Sequence, residues 1–296
     1  MKKALVTGAT GFIGSHLVRA LLRNGWEVDV IVRPCSSLSM LTDVEARIGT
    51  CEHAGDMQGM LDIVTVSKPD VVFHVASLFL SNHQSEQVEE LIRSNVLFGT
   101  QLLEAMAASG VRKMVNTSTN WEHYEGKDYS PVNLYAATKR AFQDILQYYV
   151  EAKGVQAITL KLFDSYGPND PRPKLLKLLL EAANTGKPLA LSPGEQKIDL
   201  VHVDDVASAY LVAAERLLSR KVTECECYGV YSGKAVSIRE LVRFVEEKTG
   251  RTLHVCWGGR GYRSREVMEP YYGLNPPPGW SPKHTLEQGL ESLLCV

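Results

Sequence analysis

The chain has 296 residues, 45% hydrophobic and 22% charged, with a formal net charge of -2. It is long enough for one large core with a small appended lobe and too apolar to be mostly disordered. The near-neutral balance offers no global basic field to nucleic acid or an anionic membrane surface, and no apolar run reaches the roughly 18 residues that a membrane span needs.

The opening MKKALVTGATGFIG reads as a strand and a turn. Glycines interrupt its apolar stretch too early for a cleaved leader, so a cytoplasmic chain is expected. A first strand is expected over 2–7, a helix over 15–24 ended by Gly25, and an alternating strand over 26–33. Residues 61–68 read as helix, and Pro69 breaks it. The apolar run VVFHVA over 71–76 suits a strand buried on both faces. A long helix over 85–110, a strand over 112–119, a helix over 133–154 and a strand over 155–163 follow. This alternation predicts an α/β, Rossmann-type, doubly wound parallel sheet with right-handed crossovers.

After about residue 165 the rhythm loosens. YGPNDPRP is a proline-rich loop, 174–186, 202–218 and 237–250 read as helices, and 258–282 is too rich in Gly, Pro and Arg for regular structure. The expected organisation is an NAD(P)-binding domain over 1–165, to which some later segments return, and a smaller irregular substrate-binding lobe over most of 166–296. A ligand is expected between them, at the carboxyl ends of the strands. Six scattered cysteines, Cys35, Cys51, Cys225, Cys227, Cys256 and Cys295, read as buried or idle thiols, since a disulfide framework or zinc site would cluster them.

The sharpest local pattern is VTGATGFIGSHL. Gly8, Gly11 and Gly14 stand between a strand and a helix, where such spacing permits a tight turn, close approach of a pyrophosphate, and helix–strand packing. The second strand ends in Arg33, where an NAD-selective site would place an acid. Asp29 comes four residues too early. Arg33, with Ser36 and Ser37 behind it, suits a 2′-phosphate, so NADP(H) is expected over NAD(H). Asp56 is a candidate for the adenine amino group.

LYAATKRAF sets Tyr135 and Lys139 four residues apart, on one helix face. A nearby ammonium is expected to lower the tyrosine pKa and to hold the nicotinamide ribose. Tyr149 and Lys153 repeat the spacing; they read as packing and surface charge because they stand far down the helix. Tyr135 instead follows a strand that ends in Thr117, Ser118 and Thr119, whose hydroxyls can hydrogen-bond a reacting oxygen.

Together, TGATGFIG, the strand-end NTST, YAATK, LKLFDSYGPND and LVHVDDVASAY resemble the extended short-chain dehydrogenase/reductases of the NAD-dependent epimerase/dehydratase family, over nearly the whole chain. NTSTNWEHY followed by PVNLYAATK is most similar to the nucleotide-sugar 4-ketoreductases of the CDP-abequose synthase type. The resemblance implies a Thr/Tyr/Lys site with Thr119 in the hydroxyl role and Ser118 as its substitute. It implies cofactor contacts from Thr10, Phe12 and Ile13 in the glycine loop, from Met57 beside Asp56, and from Val75, Ala76 and Ser77. Asn95, Thr117 and Leu162 complete that set. It implies a homodimer through a four-helix bundle that includes the Tyr135 helix.

The reaction class follows from departures. Sugar-nucleotide dehydratases of this family carry an Asp-Glu pair after the catalytic threonine. Here those positions are Asn120 and Trp121, and Glu122 is one place late. No cysteine follows the strand, as the double epimerase-reductases require. The expectation is NADPH-dependent reduction of the C4 keto group of a nucleoside-diphosphate 4-keto-6-deoxy (or 3,6-dideoxy) hexose. The alternative is an NAD-dependent 4-epimerase. Retention of Thr119, Tyr135 and Lys139 argues against a mere NADP(H) sensor. Substrate contacts are expected from Asn120, Trp121, Asp164, Arg172, Lys174 and Arg265. Lys197 stands where the family has a phosphate arginine, and Asp164 where it has asparagine. His202, Asp204 and Asp205 read as a helix start, and no metal ligand set is expected.

Overall fold

The computed structural model describes residues 1–34, 36–219, 222 and 224–294; Cys35 and Cys295 lie outside the described residues. β1 (Lys3–Thr7) passes through the glycine turn into α1 (Phe12–Arg23), followed by β2 (Glu27–Val32), β3 (Gly49–Glu52), α2 (Met57–Ser67) and β4 (Val71–His74). All four residues of β4 are buried, as its unbroken apolar run requires. A loop leads to α3 (Val88–Ile92) and α4 (Phe98–Ser109), which join through a π-helical turn over Arg93–Leu97. β5 (Lys113–Thr119), α5 (Leu134–Lys153) and β6 (Gln156–Leu162) complete the alternating half. Asn133 caps α5 by accepting the Ala136 N–H at 3.0 Å, and Gly154 ends it at φ 69°.

The second half contains β7 (Asp164–Tyr166), α6 (Leu175–Thr185), β8 (Leu189–Leu191), β9 (Lys197–Ile198), β10 (Leu200–His202) and α7 (Val203–Leu218). Then come β11 (Glu226–Val230), β12 (Val236–Ser237), α8 (Ile238–Thr249), β13 (Val255–Trp257) and α9 (Leu286–Leu294). Seven parallel strands make one sheet in the order β11-β6-β5-β4-β1-β2-β3. β1 lies between β2 and β4. The strand order reverses there, which opens a crevice at the carboxyl ends.

One face of the sheet buries Leu17 and Leu21 of α1 with Tyr210 and Leu217 of α7. The other buries Met60, Leu102, Met106, Phe142 and Leu146 from α2, α4 and α5. The chain beyond 165 therefore serves both parts: α7 and β11 complete the large sheet and its core, whereas α6, α8 and α9 enclose a separate small core around Leu179, Leu241 and Val245. No regular element lies between β13 and α9.

Candidate active site

The glycine turn brings backbone against backbone. A Cβ at Gly8, whose φ is +71°, would stand 2.6 Å from the Ala76 nitrogen, and one at Gly14 would stand 2.1 Å from the Gly8 oxygen. Gly11 starts α1 without a side-chain cap, and no acid occupies the first turn. The helix start thus keeps N–H groups and a positive dipole end for an anion. A cavity of about 1410 Å³ runs from this turn past the strand exits to the small lobe. Gly8, Thr10, Gly11, Phe12, Ile13 and Gly14 line it, with Val75, Ala76, Ser77, Thr117 and Leu162.

At one end Arg33 and Ser36 reach the cavity. Arg33 is exposed and forms no salt bridge among the described residues. Asp29 is unavailable to a ribose: its carboxylate accepts the Ser67 hydroxyl at 2.6 Å and pairs with the Lys3 ammonium at 3.0 Å.

Five expected cofactor residues do not line the cavity: Lys139, which is 1% exposed, and four others. Asp56 caps α2 by accepting the Gly59 N–H at 2.8 Å, and that bond holds its carboxyl below the usual carboxylate range. His53, Ala54 and Gly55 occupy the wall in its place. Met57 begins α2 and is exposed. The Ser37 hydroxyl accepts the Ser39 N–H at 3.2 Å and stays outside. Asn95, wholly buried in the π-helical turn, accepts from the Leu78 N–H at 2.7 Å and donates to the Leu78 carbonyl and the Thr138 hydroxyl, each at 3.0 Å. It fixes the loop after β4 to α5 and is thus a support for the site.

Tyr135 lies in the first turn of α5 and on the cavity wall. Lys139, one turn on, is 1% exposed, and its Nζ has no hydrogen-bond partner among the described residues. Burial pulls the Lys139 ammonium down to about 8, against the Glu122 charge. Burial also pushes the Tyr135 phenol up to about 12, with the Ser77 hydroxyl acting the other way. The expected depression of the tyrosine pKa is absent in the cofactor-free protein, because desolvation of the phenolate dominates and Lys139 is not among the groups that act on it. A neutral phenol is the form that can give a proton. The open donors of Lys139 fit the hydroxyls of a nicotinamide ribose, and the glycine turn fits its pyrophosphate.

The three hydroxyls at the end of β5 differ. Thr117 donates to the His74 carbonyl at 2.7 Å, and Tyr210 bonds to it at 2.6 Å. Ser118 donates to Glu122 and accepts from Gln143 at 3.1 Å. Thr119 accepts the Trp121 N–H at 3.2 Å and lines the cavity. Its proton alone of the three has no acceptor among the described residues. Glu122 is fully buried, pairs with Lys161 at 2.9 Å and lies off the cavity wall. Asn120 and Trp121 are on the wall. The sequence reading missed Phe79, on the loop after β4. Its ring centroid lies 4.9 Å from that of Tyr135 and 5.5 Å from that of Trp121. Its only signal was an apolar pair, Leu78-Phe79, persisting past the end of a buried strand.

Asp164, Arg172, Lys174 and Arg265 all line the cavity, and each is already engaged. Arg172 forks onto Asp170, at 2.8 Å from Nε and 2.7 Å from Nη2, and lies over the Phe12 ring. Lys174 stands 3.6 Å from Asp164. Arg265 donates to the Ser130 hydroxyl and stacks on Tyr124. Lys197 pairs with Glu269 at 2.9 Å.

His202, Asp204 and His284 bring possible ligand atoms within 4.8 Å of one another. The two imidazoles, however, stack with centroids 4.2 Å apart at 28°. Their in-plane lone pairs therefore run side by side and do not converge on one ion. His202 instead caps α7 by accepting the Asp204 N–H at 3.3 Å.

Residues 4–224 match the model of the NAD dependent epimerase/dehydratase family. The CDP-abequose synthase of Salmonella muenchen is 26% identical over 298 residues, covering 100% of this chain and 98% of its own. Among solved structures, the UDP-glucose 4-epimerase of Thermotoga maritima with UDP-glucose is 25% identical at a TM-score of 0.85, covering 99% of this chain and 97% of its own. The UDP-glucose 4-epimerase of Thermus thermophilus in complex with NAD is 28% identical at a TM-score of 0.82, covering 99% and 98%. A glycine turn built for a pyrophosphate, a tyrosine–lysine pair beside it and the family match agree: the chain is an NAD(P)-dependent enzyme that belongs to the NAD dependent epimerase/dehydratase family.

Proposed function

We propose that the protein reduces the C4 keto group of a nucleoside-diphosphate 4-keto-6-deoxy (or 3,6-dideoxy) hexose with NADPH. The observation that carries this reading is the Tyr135 phenol on the wall of the cofactor crevice, with Asn120 and Trp121, and no acid–base pair, at the positions after Thr119. Glu122, the first acid after Thr119 in sequence, is buried against Lys161. The similarity to CDP-abequose synthase supports the nucleotide-sugar class, and the free Arg33 supports the 2′-phosphorylated cofactor.

The glycine turn, Arg33, Ser36 and Lys139 would hold NADPH, whose reduced nicotinamide would supply the hydride. Tyr135 donates its phenolic proton to the oxygen of the reacting carbonyl. The Thr119 hydroxyl donates to the same oxygen and stabilises the charge developing there. Lys139 holds the ribose, and its positive charge stabilises the phenolate left after transfer. Ser77, hydrogen-bonded to Asn95 at 3.2 Å, keeps the phenol oriented. Asn120, Trp121, Asp164, Arg172, Lys174 and Arg265 surround the sugar and its diphosphate. The reading assigns the chain to the cytoplasm and pairs two copies through α4 and α5.

The second reading, a 4-epimerase that retains NAD, is favoured by the epimerase structures and the NAD bound in one of them. A panel of CDP-, dTDP-, UDP- and GDP-linked 4-keto-6-deoxy sugars separates the two. Reduction consumes one NADPH per product alcohol, followed by absorbance and product NMR. With the corresponding 4-hydroxy sugar nucleotides, interconversion of C4 epimers with no net change in cofactor would overturn the reductase reading.

A further inference from the structure

Phe79 is 40% exposed, yet it faces the cavity. Its ring spans two functional groups. The Lys174 ammonium lies 4.4 Å from its centroid on one side, and the Tyr135 ring lies 4.9 Å away on another, nearly perpendicular at 78°. Trp121 stands at 5.5 Å and closes the aromatic wall. A sugar with its phosphate at Lys174 and its reacting carbon at Tyr135 must lie along Phe79. The edge of the sugar that carries C5 and its exocyclic C6 then meets ring carbons. A hydroxyl there would lose its water against that wall.

We infer that Phe79 is a specificity-determining residue that, with Trp121, selects a hexose lacking the C6 hydroxyl, on the exocyclic carbon two bonds from the reacting centre. The inference rests on the nucleotide-sugar reading above. Phe79 supplies contact area for the C6 methyl and no partner for a C6 hydroxyl, so it discriminates by the unmet hydrogen bond of the wrong sugar. It touches no atom that reacts. Its loop position is held from behind by Asn95 and by Asn133, whose Nδ2 donates to the Ser81 carbonyl at 3.0 Å. Replacing the half-exposed ring therefore leaves the scaffold standing.

The test is calorimetric and needs no turnover. CDP-6-deoxyglucose and CDP-glucose, and the same pair on UDP, are titrated into the NADP-loaded wild type, Phe79→Ala and Phe79→Leu. The expected result is a preference of about tenfold to 100-fold for the deoxy member in the wild type. Phe79→Ala loses most of that ratio, Phe79→Leu keeps most of it, and affinity for free CDP or UDP changes in neither. Equal affinity for both members in the wild type, or an unchanged ratio in Phe79→Ala, overturns the inference and leaves the reductase reading intact. Binding of neither pair overturns both.

Discussion

The two sides of the crevice are prepared differently. On the cofactor side, polar groups are left open: the N–H groups at the start of α1, the Arg33 guanidinium and the buried Lys139 ammonium have no protein partner among the described residues. On the substrate side three of the cavity-lining cations are paired with acids, Arg172 with Asp170, Lys174 with Asp164 and Lys197 with Glu269, whereas Arg260, Arg263 and Arg265 form no salt bridge among the described residues. A site with open donors gains the full strength of a ligand's hydrogen bonds, whereas a site with paired cations must exchange one partner for another. The cofactor is accordingly expected to bind tightly and first, and the sugar nucleotide more weakly, by rearranging ion pairs.

The largest effects should come from the groups between the two sides. Tyr135→Phe removes the proton donor and keeps the ring. Turnover should fall by about 10²–10⁴-fold with NADPH affinity unchanged; steady-state kinetics with fluorescence titration of the cofactor checks this. Turnover near that of the wild type would remove Tyr135 from the chemistry.

Lys139→Met sharpens the contrast, because an open buried charge is a liability when nothing is bound. The variant should lose activity yet stabilise the cofactor-free protein by about 1–3 kcal/mol near neutral pH. The pH dependence has a definite sign. The folded pKa of about 8 lies below the ordinary 10.5, so between those values the unfolded state binds more protons and wild-type stability rises with pH. The advantage of the variant should therefore be full below pH 8 and shrink towards pH 10.5. Urea unfolding at several pH values measures it. A gap that widens with pH would mean that Lys139 is not destabilised by burial.

How much was legible follows the same division. The glycine turn, the β4 run and the Tyr135–Lys139 spacing are local patterns, and local patterns survive in a sequence. α1 starts at Phe12, three residues before the expected start, because Gly11 can serve as its cap. β11 had no readable signal: Glu-Cys-Tyr-Gly-Val neither alternates nor forms an apolar run, and pairing with β6 defines it. The capping role of Asp56 was not read, because an acid three residues before a helical glycine serves a cap as readily as a ligand. The pairing of Lys197 was invisible since its partner, Glu269, comes from afar, whereas Asp170 stands only two residues before Arg172. The resemblance already put Thr119 ahead of Ser118; what the sequence did not show is that Ser118 donates to the buried Glu122, which pairs with Lys161 from another strand.

Arg33→Asp tests the open end of the cofactor side. A charge-assisted contact to a 2′-phosphate contributes about 1.5–3 kcal/mol, so the ratio of NADPH to NADH affinity should drop by about tenfold to 100-fold. Direct titration of both cofactors reads this. An unchanged ratio would take the 2′-phosphate away from Arg33, and with it the main argument for net reduction over a retained NAD.

The smallest effect belongs to the paired side. Asp164 and Lys174 are each about one-third exposed and 3.6 Å apart, so water and salt screen their attraction, and the pair contributes at most about 1 kcal/mol. Asp164→Asn deletes a negative charge beside the proposed diphosphate and releases Lys174 to it. The KM for the sugar nucleotide should fall by up to about fivefold at low salt, kcat should hold, and the gain should fade as ionic strength rises. A higher KM would mean that the carboxylate accepts a sugar hydroxyl. The paired cations would then be the resting form of a polar sugar grip, and the exchange of partners proposed for this side would not occur at Lys174.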